Sequence, residues 1–250
     1  MTSGPRTRPR RLGAGADLWL LAEAAVPELG AAATLERFLS AEETARYRRL
    51  RLEPVRRRFL GGRLLCRHAL SAYTDVRPAE WRFAYGPFGR PELVSNPWGL
   101  RFNLSHTDGL IACVVTRGVP CGVDVELTPA RPEDVALADE HFAPSERADL
   151  AGLEAGARAR RFVDYWVLKE SYTKALGAGL SRRLSSFAFD LGRSEITVRD
   201  TERRTAERRQ WRFDLLRIGS RHACAVAVRR DEGDRRPLHV HPIRLGAVDR

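Results

Sequence analysis

The chain has 250 residues, enough for one large domain or two small ones with a hydrophobic core. Its 43% hydrophobic and 30% charged residues exclude a fibrous or disordered protein. The formal net charge of +11 suits phosphates, nucleic acid or an acidic partner protein alike. Only two of the 43 basic residues are lysines, so codon usage that favours arginine explains part of this positive charge.

The start of the chain is basic, and we interpret residues 1–14 as a solvated tail. Arg10 and Arg11 precede an apolar run, as in a twin-arginine export signal, but Asp17 and Glu23 interrupt that run. The run is therefore too short for an export core or a membrane span. The four cysteines lie in apolar segments without the spacing of zinc ligands, which predicts buried reduced thiols and a cytoplasmic protein.

The elements that follow predict an α+β fold. DLWLL is a predicted strand, the capping-box pattern at Ser40–Glu43 begins a helix, and Pro54 fits the first turn of a second helix. Four short strands come next, namely WRFAY, LRFNL, LIACVV and CGVDVEL. A helical stretch over about residues 132–177 is broken near Pro144 and Gly152. The last predicted strands are SSFAFDL, EITVRD, WRFDLL and HACAVAV.

The chain also contains a weak signal of an internal repeat. RRF at residues 57–59 begins a helix that leads through strands to ACVV, and RRF at residues 160–162 begins another that leads to ACAV. A true repeat would give two similar halves, residues 15–118 and 119–250, related by a pseudo-twofold axis with a site at their seam. The alternative is that any α+β chain reuses such short patterns.

The first chemically suggestive segment is CGVDVEL. Asp124 and Glu126 are two residues apart in a predicted strand, so both carboxylates project from the same face. Paired carboxylates repel each other unless a cation lies between them, and Mg²⁺ binds one or two carboxylates together with phosphate oxygens and water. The alternative is a surface strand with its valines turned inward.

The second suggestive segment is WVLKESYTK. On a helix, Trp166, Glu170 and Lys174 form one stripe. A Glu-to-Lys pair at this spacing would also stabilise an exposed helix, but arginine would serve that purpose equally well. The compact charge of lysine is better suited to a single phosphate oxygen.

The third segment, FNLSHTDG, places Asn103, Ser105 and His106 at a predicted turn between two strands. Turns often carry functional side chains, although a histidine there is more often only hydrogen-bonded. Upstream, FGRP places Arg90 in a Gly/Pro loop.

Together these segments resemble the Sfp-type (surfactin-type) 4′-phosphopantetheinyl transferases. That family has a G-[IV]-D-[IV]-E motif, here GVDVE at residues 122–126, and later a W-x-x-K-E-[AS]-x-x-K motif, here WVLKESYTK at residues 166–174. It also has F-N-[IL]-S-H, here at residues 102–106, preceded by G-[KR]-P, here at residues 89–91. The order and spacing agree over roughly residues 40–189.

The resemblance implies a monomer whose two halves each consist of a small sheet packed on a long helix, with coenzyme A and Mg²⁺, or alternatively Mn²⁺, in the cleft between them. The C-terminal tail would pack back on the first half. The implied reaction transfers the phosphopantetheine arm of coenzyme A to a serine of an apo acyl or peptidyl carrier protein and releases adenosine 3′,5′-bisphosphate. An acidic carrier protein would suit the positive charge of this chain. No nucleic-acid or membrane partner is expected.

The resemblance also implies roles for individual residues. The metal ligands would be Asp124, Glu126 and Glu170. Glu170 and Lys174 would be catalytic, Glu170 as the candidate base for the carrier serine and Lys174 as a phosphate contact. The coenzyme A contacts would be Arg46, Arg58, Arg90, Ser105, His106, Lys169 and Lys174.

Two other classes of protein fit parts of the sequence. A Mg²⁺-dependent nuclease also uses carboxylates and a lysine, but common nuclease sites place an acid and a lysine two residues apart on one strand, and Thr128 stands two residues after Glu126. A non-catalytic nucleic-acid-binding module is suggested only by the charge, since the aromatic residues do not form stacking platforms between basic ones.

Overall fold

The computed structural model describes residues 12, 15–26, 38–86, 89–177, 182–192, 195–202, 210–230 and 237–243. Apart from Leu12, the predicted basic tail lies outside the described residues. Helices and strands are mixed along the described chain, which confirms the α+β prediction. Among the described helices, none combines the length and apolar character needed to cross a membrane.

The described part of the chain contains eleven strands and six α-helices. The strands are β1 (Ala16–Ala22), β2 (Phe83–Tyr85), β3 (Pro91–Leu93), β4 (Leu100–Thr107), β5 (Leu110–Arg117), β6 (Cys121–Leu127), β7 (Phe187–Leu191), β8 (Ile196–Asp200), β9 (Trp211–Ile218), β10 (His222–Arg229) and β11 (Leu238–Ile243). The helices are α1 (Ala41–Arg49), α2 (Glu53–Ser71), α3 (Pro132–Val135), α4 (Ala138–His141), α5 (Pro144–Ala151) and α6 (Ala155–Leu176).

The first sheet has the strand order β11-β1-β5-β4, in which β11 runs parallel to β1 and the other pairs are antiparallel. Helix α2 covers one face of this sheet. Leu60 and Leu64 of α2 share a core with Ile111, Cys113 and Val115 of β5, which are the alternate residues of an entirely apolar run. The intervening residues of β5 face away from α2.

The second sheet has the strand order β6-β10-β9, all antiparallel, and helix α6 covers one of its faces. The side chains of β10 that face α6 are Ala223, Ala225 and Ala227, so the helix lies close to the strand. Tyr172 of α6 is completely buried among aromatic rings from β7 and β9. Each long helix therefore covers the outer face of one sheet.

The inner faces of the two sheets pack against each other. Leu18 and Val114 of the first sheet share an apolar cluster with Val123, Val125 and Val226 of the second. The layers therefore follow the order helix, sheet, sheet, helix. At one end of this stack the side-chain oxygen of Asn103 on β4 accepts a hydrogen bond of 2.9 Å from the backbone N–H of Val123 on β6.

Several local predictions are confirmed by the structure. Ser40 and Glu43 form the predicted capping box at the start of α1, and Pro54 lies in the first turn of α2. The helical stretch after residue 132 is divided into α3 to α6, with breaks before Pro144 and at Gly152. All four cysteines are buried and free.

The placement of FNLSHTDG differs from the prediction. Asn103, Ser105 and His106 lie within strand β4 and not in a turn, because the hydrogen-bonded ladder with β5 continues to Thr107. The turn follows at Gly109, whose positive φ of 83° favours glycine. As strand residues, Asn103 and Ser105 project to the same side, towards β6.

Gly122 sets the distance between β6 and α6. A Cβ atom at this position would overlap the carbonyl oxygen of Ser171 and lie 2.6 Å from the amide nitrogen of Ala175, both in the backbone of α6. Glycine is thus the residue that permits this approach. Asp124 and Glu126 follow it on the same face of β6 and are brought beside the helix by the same contact.

We expect Gly122→Ala to lower the free energy of unfolding by about 1–3 kcal/mol, because the added methyl group must displace helix backbone and not a flexible side chain. The matched control is Gly62→Ala in α2, where the new Cβ meets nothing within 4 Å. That control should raise stability by about 0.5–1 kcal/mol through the lower entropy of the unfolded chain. Denaturant unfolding of both variants measures the difference, and equal stabilities would contradict the packing argument.

Candidate active site

A cavity of about 520 Å³ lies where α1, α2, β4, β6 and α6 meet. Two of the predicted site residues, Arg90 and Lys169, do not line it. The eight predicted site residues that do are Arg46, Arg58, Ser105, His106, Asp124, Glu126, Glu170 and Lys174. The structure thus brings together residues that are far apart in the sequence and come from both sheets.

Lys174 links β4, β6 and α6 at the site through its ammonium group. Its ammonium donates hydrogen bonds to Asp124 Oδ1 at 2.7 Å, to Ser105 Oγ at 3.1 Å and to the carbonyl oxygen of Val123 at 3.2 Å. Ser105 Oγ in turn donates to Asp124 Oδ1 at 2.8 Å. The side chain of Lys174 is 29% exposed, so the ammonium is held in place and still faces the cavity.

The three carboxylates carry more negative charge than Lys174 alone can balance. Burial and the neighbouring charge of Asp124 raise the pKa of Glu126 to about 7, although Thr107 donates a hydrogen bond of 3.1 Å to it. Burial and Asp124 likewise raise the pKa of Glu170, which Lys174 partly opposes. Within the described residues, Asp124 Oδ2 is buried without a hydrogen-bond partner. The cluster is therefore short of positive charge.

The chemistry of this donor set fits a hard divalent cation. Oxygen atoms of two or three carboxylates, with room for water and phosphate oxygens, are what Mg²⁺ binds. As the side chains stand, no three His, Cys, Asp or Glu residues of the described chain are arranged closely enough to hold a metal ion. Asp124 Oδ1 faces the Lys174 ammonium, while its other oxygen has no partner of its own.

The opposite wall of the cavity is basic. Arg58 is held by Glu23, 3.5 Å away, and by Asp108, 3.3 Å away, whereas Arg46 is exposed and lies over the Phe59 ring. Burial of part of the His106 ring, together with the positive charges of Arg58 and Lys174, lowers the pKa of this imidazole. Such a wall suits an anion.

Arg63 is a cavity residue that the sequence interpretation missed. Its Nε lies 3.0 Å from Glu43 Oε1, and its guanidinium lies over the rings of Phe59 and Tyr85. The available signal was helical spacing, because Arg63 follows Phe59 by four residues on α2 and so shares its face. The abundance of arginines in this segment hid that signal.

The predicted phosphate contact of Lys169 needs correction. Its side chain is 0% exposed and its ammonium lies 2.8 Å from Glu146, which is also fully buried. The remaining N–H groups donate to the carbonyl oxygens of Leu184 at 2.8 Å and Phe187 at 2.7 Å. Because three acceptors use all three donors inside the core, Lys169 joins α6 to α5 and to the start of β7 and has no surface for a phosphate.

Arg90 also lies away from the position expected for a phosphate contact. Its guanidinium donates to the carbonyl oxygen of Lys174 at 2.7 Å and to that of Phe102 at 3.4 Å. The neighbouring residues Gly89 and Pro91 line the cavity, whereas the side chain of Arg90 lines a different one.

Comparisons with known proteins identify the family of this chain. The 4′-phosphopantetheinyl transferase superfamily matches residues 120–227, which contain β6 and α6. The phosphopantetheinyl transferase of Thraustochytrium is 32% identical over 235 residues, covering 88% of this chain and 81% of that protein. The chain therefore belongs to the phosphopantetheinyl transferase family.

Two bacterial relatives are similar over shorter stretches. The 4′-phosphopantetheinyl transferase HetI of Nostoc is 36% identical over 146 residues, covering 58% of this chain and 62% of that protein. The 4′-phosphopantetheinyl transferase Sfp of Bacillus subtilis is 30% identical over 154 residues, covering 62% of this chain and 67% of that protein. The match spans about three fifths of the length of the Nostoc relative, and 60% of the length of a Synechocystis relative.

Lys169→Met should destabilise the fold by about 3–5 kcal/mol, because the carboxylate of Glu146 would be left buried without its counter-charge. Denaturant unfolding measures the loss. The double variant Lys169→Met/Glu146→Gln removes both charges and should lose less stability than Lys169→Met alone. A stable Lys169→Met protein with weakened coenzyme A binding would instead return Lys169 to the ligand site.

Proposed function

We propose that this chain transfers the 4′-phosphopantetheine arm of coenzyme A to a serine of an apo acyl or peptidyl carrier protein, releasing adenosine 3′,5′-bisphosphate. The observation that carries the proposal is the single cavity with three carboxylates and Lys174 on one side and a basic wall on the other. A pyrophosphate-containing substrate needs both a cation site and compensating basic groups. Membership of the phosphopantetheinyl transferase family supports this choice of substrate.

Asp124, Glu126 and Glu170 would hold Mg²⁺, with Mn²⁺ as the alternative. The partnerless oxygen of Asp124 and the repulsion among the three carboxylates support this assignment. When bound, the ion would supply positive charge that polarises the pyrophosphate.

The residues of the chain would orient the reacting groups. Lys174, fixed by Asp124 and Ser105, would neutralise phosphate charge that develops as the adenosine bisphosphate departs. Glu170 lies one helical turn before Lys174 on the same stripe of α6 and would accept the proton of the carrier serine. Catalysis would rest mainly on holding these groups in line.

Arg46, Arg58, Ser105 and His106 would contact the phosphates of coenzyme A, joined by Arg63. Their support is that all five line the cavity opposite or beside the carboxylates. Arg58 and Arg63 are already held by acidic residues, so they would meet the ligand with little loss of side-chain entropy.

We also propose that residues 15–118 and 119–250 are two similar halves related by a pseudo-twofold axis. Each would contribute a sheet and a long helix, and the cavity would be the cleft between them. The packing of α2 on the first sheet and of α6 on the second supports this view. On this proposal the protein acts as a cytoplasmic monomer.

The macromolecular partner would be an acidic carrier protein. The net charge of +11 favours such a partner through electrostatic steering. The alternatives suggested by charge alone, a Mg²⁺-dependent nuclease and a nucleic-acid-binding module, gain no support from the family to which the chain belongs.

The direct test combines the purified protein with an apo carrier protein, coenzyme A and Mg²⁺ and measures the intact mass of the carrier. We expect a mass increase of one phosphopantetheine, which is lost when a chelator is added because the carboxylates then lack their cation. Fatty-acid, polyketide and peptide carriers should be tried in parallel. An unmodified carrier in every case would argue against the proposed function.

Glu170→Gln should reduce transfer about a hundredfold or more, because the amide can neither accept the serine proton nor supply a charged ligand. The measurement is the rate of carrier modification, with circular dichroism to verify the fold. Glu140→Gln, on the exposed surface of α4, is the matched control and should retain the full rate. Normal activity of Glu170→Gln would remove Glu170 from both proposed roles.

A further inference from the structure

Arg90 does not line the main cavity, although both of its neighbours in the chain do. Gly89 and Pro91 line the main cavity, while Arg90, again with Pro91, lines a second cavity of about 240 Å³. Gly89 has a positive φ of 72°, and Pro91 is the first residue of β3, so Arg90 lies between a turn and a strand. The Arg90 side chain is directed towards its two hydrogen-bond acceptors, the carbonyl oxygens of Lys174 and Phe102.

The guanidinium of Arg90 connects helix α6 to strand β4. It donates to the carbonyl oxygen of Lys174 at 2.7 Å and, through its second terminal nitrogen, to the carbonyl oxygen of Phe102 at 3.4 Å. Lys174 lies in the last turn of α6, and Phe102 lies on β4. A fork with two separated donors can bridge two carbonyl groups, whereas an ammonium is a single point of charge.

The carbonyl oxygen of Lys174 is a favourable partner for a cation. It belongs to the C-terminal end of a long helix, where unpaired carbonyl groups concentrate negative partial charge. It also accepts a hydrogen bond of 3.2 Å from the N–H of Gly177, which ends the helix in a left-handed conformation. Arg90 therefore fixes the backbone of α6 in the last turn of the helix.

The two elements that Arg90 joins, α6 and β4, carry Lys174 and Ser105 of the main cavity. The ammonium of Lys174 contacts Asp124 and Ser105, and Ser105 lies on β4 three residues after Phe102. Lys174 is thus held at both ends, by Arg90 at its backbone and by Asp124 and Ser105 at its charge.

We propose that Arg90 is a positioning residue that fixes the end of α6 against β4 and thereby places Lys174, and that it does not contact coenzyme A. The kinetic part of this inference rests on the proposed function. Loss of a positioning contact lowers the rate of the chemical step and leaves substrate affinity almost unchanged, whereas loss of a phosphate contact raises KM.

The first experiment compares Arg90→Lys with the wild type in the carrier-modification assay. Lysine keeps the positive charge but replaces the two terminal nitrogens, which donate separately to the carbonyl oxygens of Lys174 and Phe102, with a single ammonium on a differently shaped side chain. We expect kcat to fall about tenfold to a hundredfold while KM for coenzyme A stays within about twofold. Arg90→Gln keeps N–H donors but loses the charge, and it should likewise show a lower kcat with a nearly unchanged KM for coenzyme A.

The matched control is Arg101→Lys, because Arg101 is an exposed residue that lines the same second cavity. It should retain both kinetic constants. A raised KM for coenzyme A with normal kcat in Arg90→Lys would overturn the proposal and make Arg90 a ligand contact. Unchanged values of both constants would overturn it as well.

A second measurement is independent of activity. Amide hydrogen exchange in the full chain should become faster at residues 174–177 in Arg90→Lys and remain unchanged there in Arg101→Lys. Equal exchange in both variants would overturn the proposal whatever the kinetics. If the wild type modifies no carrier protein, the proposed function fails, and the exchange measurement still decides the role of Arg90.

Discussion

The close approach of β6 to α6 at Gly122 is the contact on which the candidate site depends. Backbone packs on backbone at that point, so the distance between strand and helix cannot be adjusted by side-chain rotation. Asp124 and Glu126 lie two and four residues after Gly122 on the same face of β6, so they lie beside α6. Glu170 and Lys174 of α6 face them. A wider separation would leave the carboxylates and the ammonium in separate solvent shells, where their mutual influence would be weak.

The site combines groups that do not stabilise one another fully. Burial raises the pKa of Glu126 and Glu170, and one oxygen of Asp124 lacks a partner among the described residues. Such an arrangement costs stability, and the apolar cores on either side offset the cost. Lys169 shows the contrasting solution, because all of its donors are satisfied inside the core.

Much of the local structure could be predicted because its causes are local. The capping box at Ser40 and the shared face of Asp124 and Glu126 follow from the geometry of helices and strands. Most residues that line the cavity were predicted from the resemblance to a family whose motifs have the same order and spacing. The sequence could not reveal that Lys169 meets Glu146, since this requires knowledge of how α5 packs on α6. The direction of Arg90 and the length of β4 likewise depend on pairing with distant segments, and Arg63 was hidden among similar residues.

The parallel pairing of β11 with β1 has a consequence for the order in which the protein is built. Asp17 on β1 lies 3.1 Å from His239 and 3.2 Å from His241 on β11, so residues made at opposite ends of the described chain share one contact. During synthesis the outer edge of β1 stays without this neighbour until β11 has left the ribosome. An unpaired strand edge next to an apolar core can associate with other chains, and the pairing of β11 with β1 covers that edge.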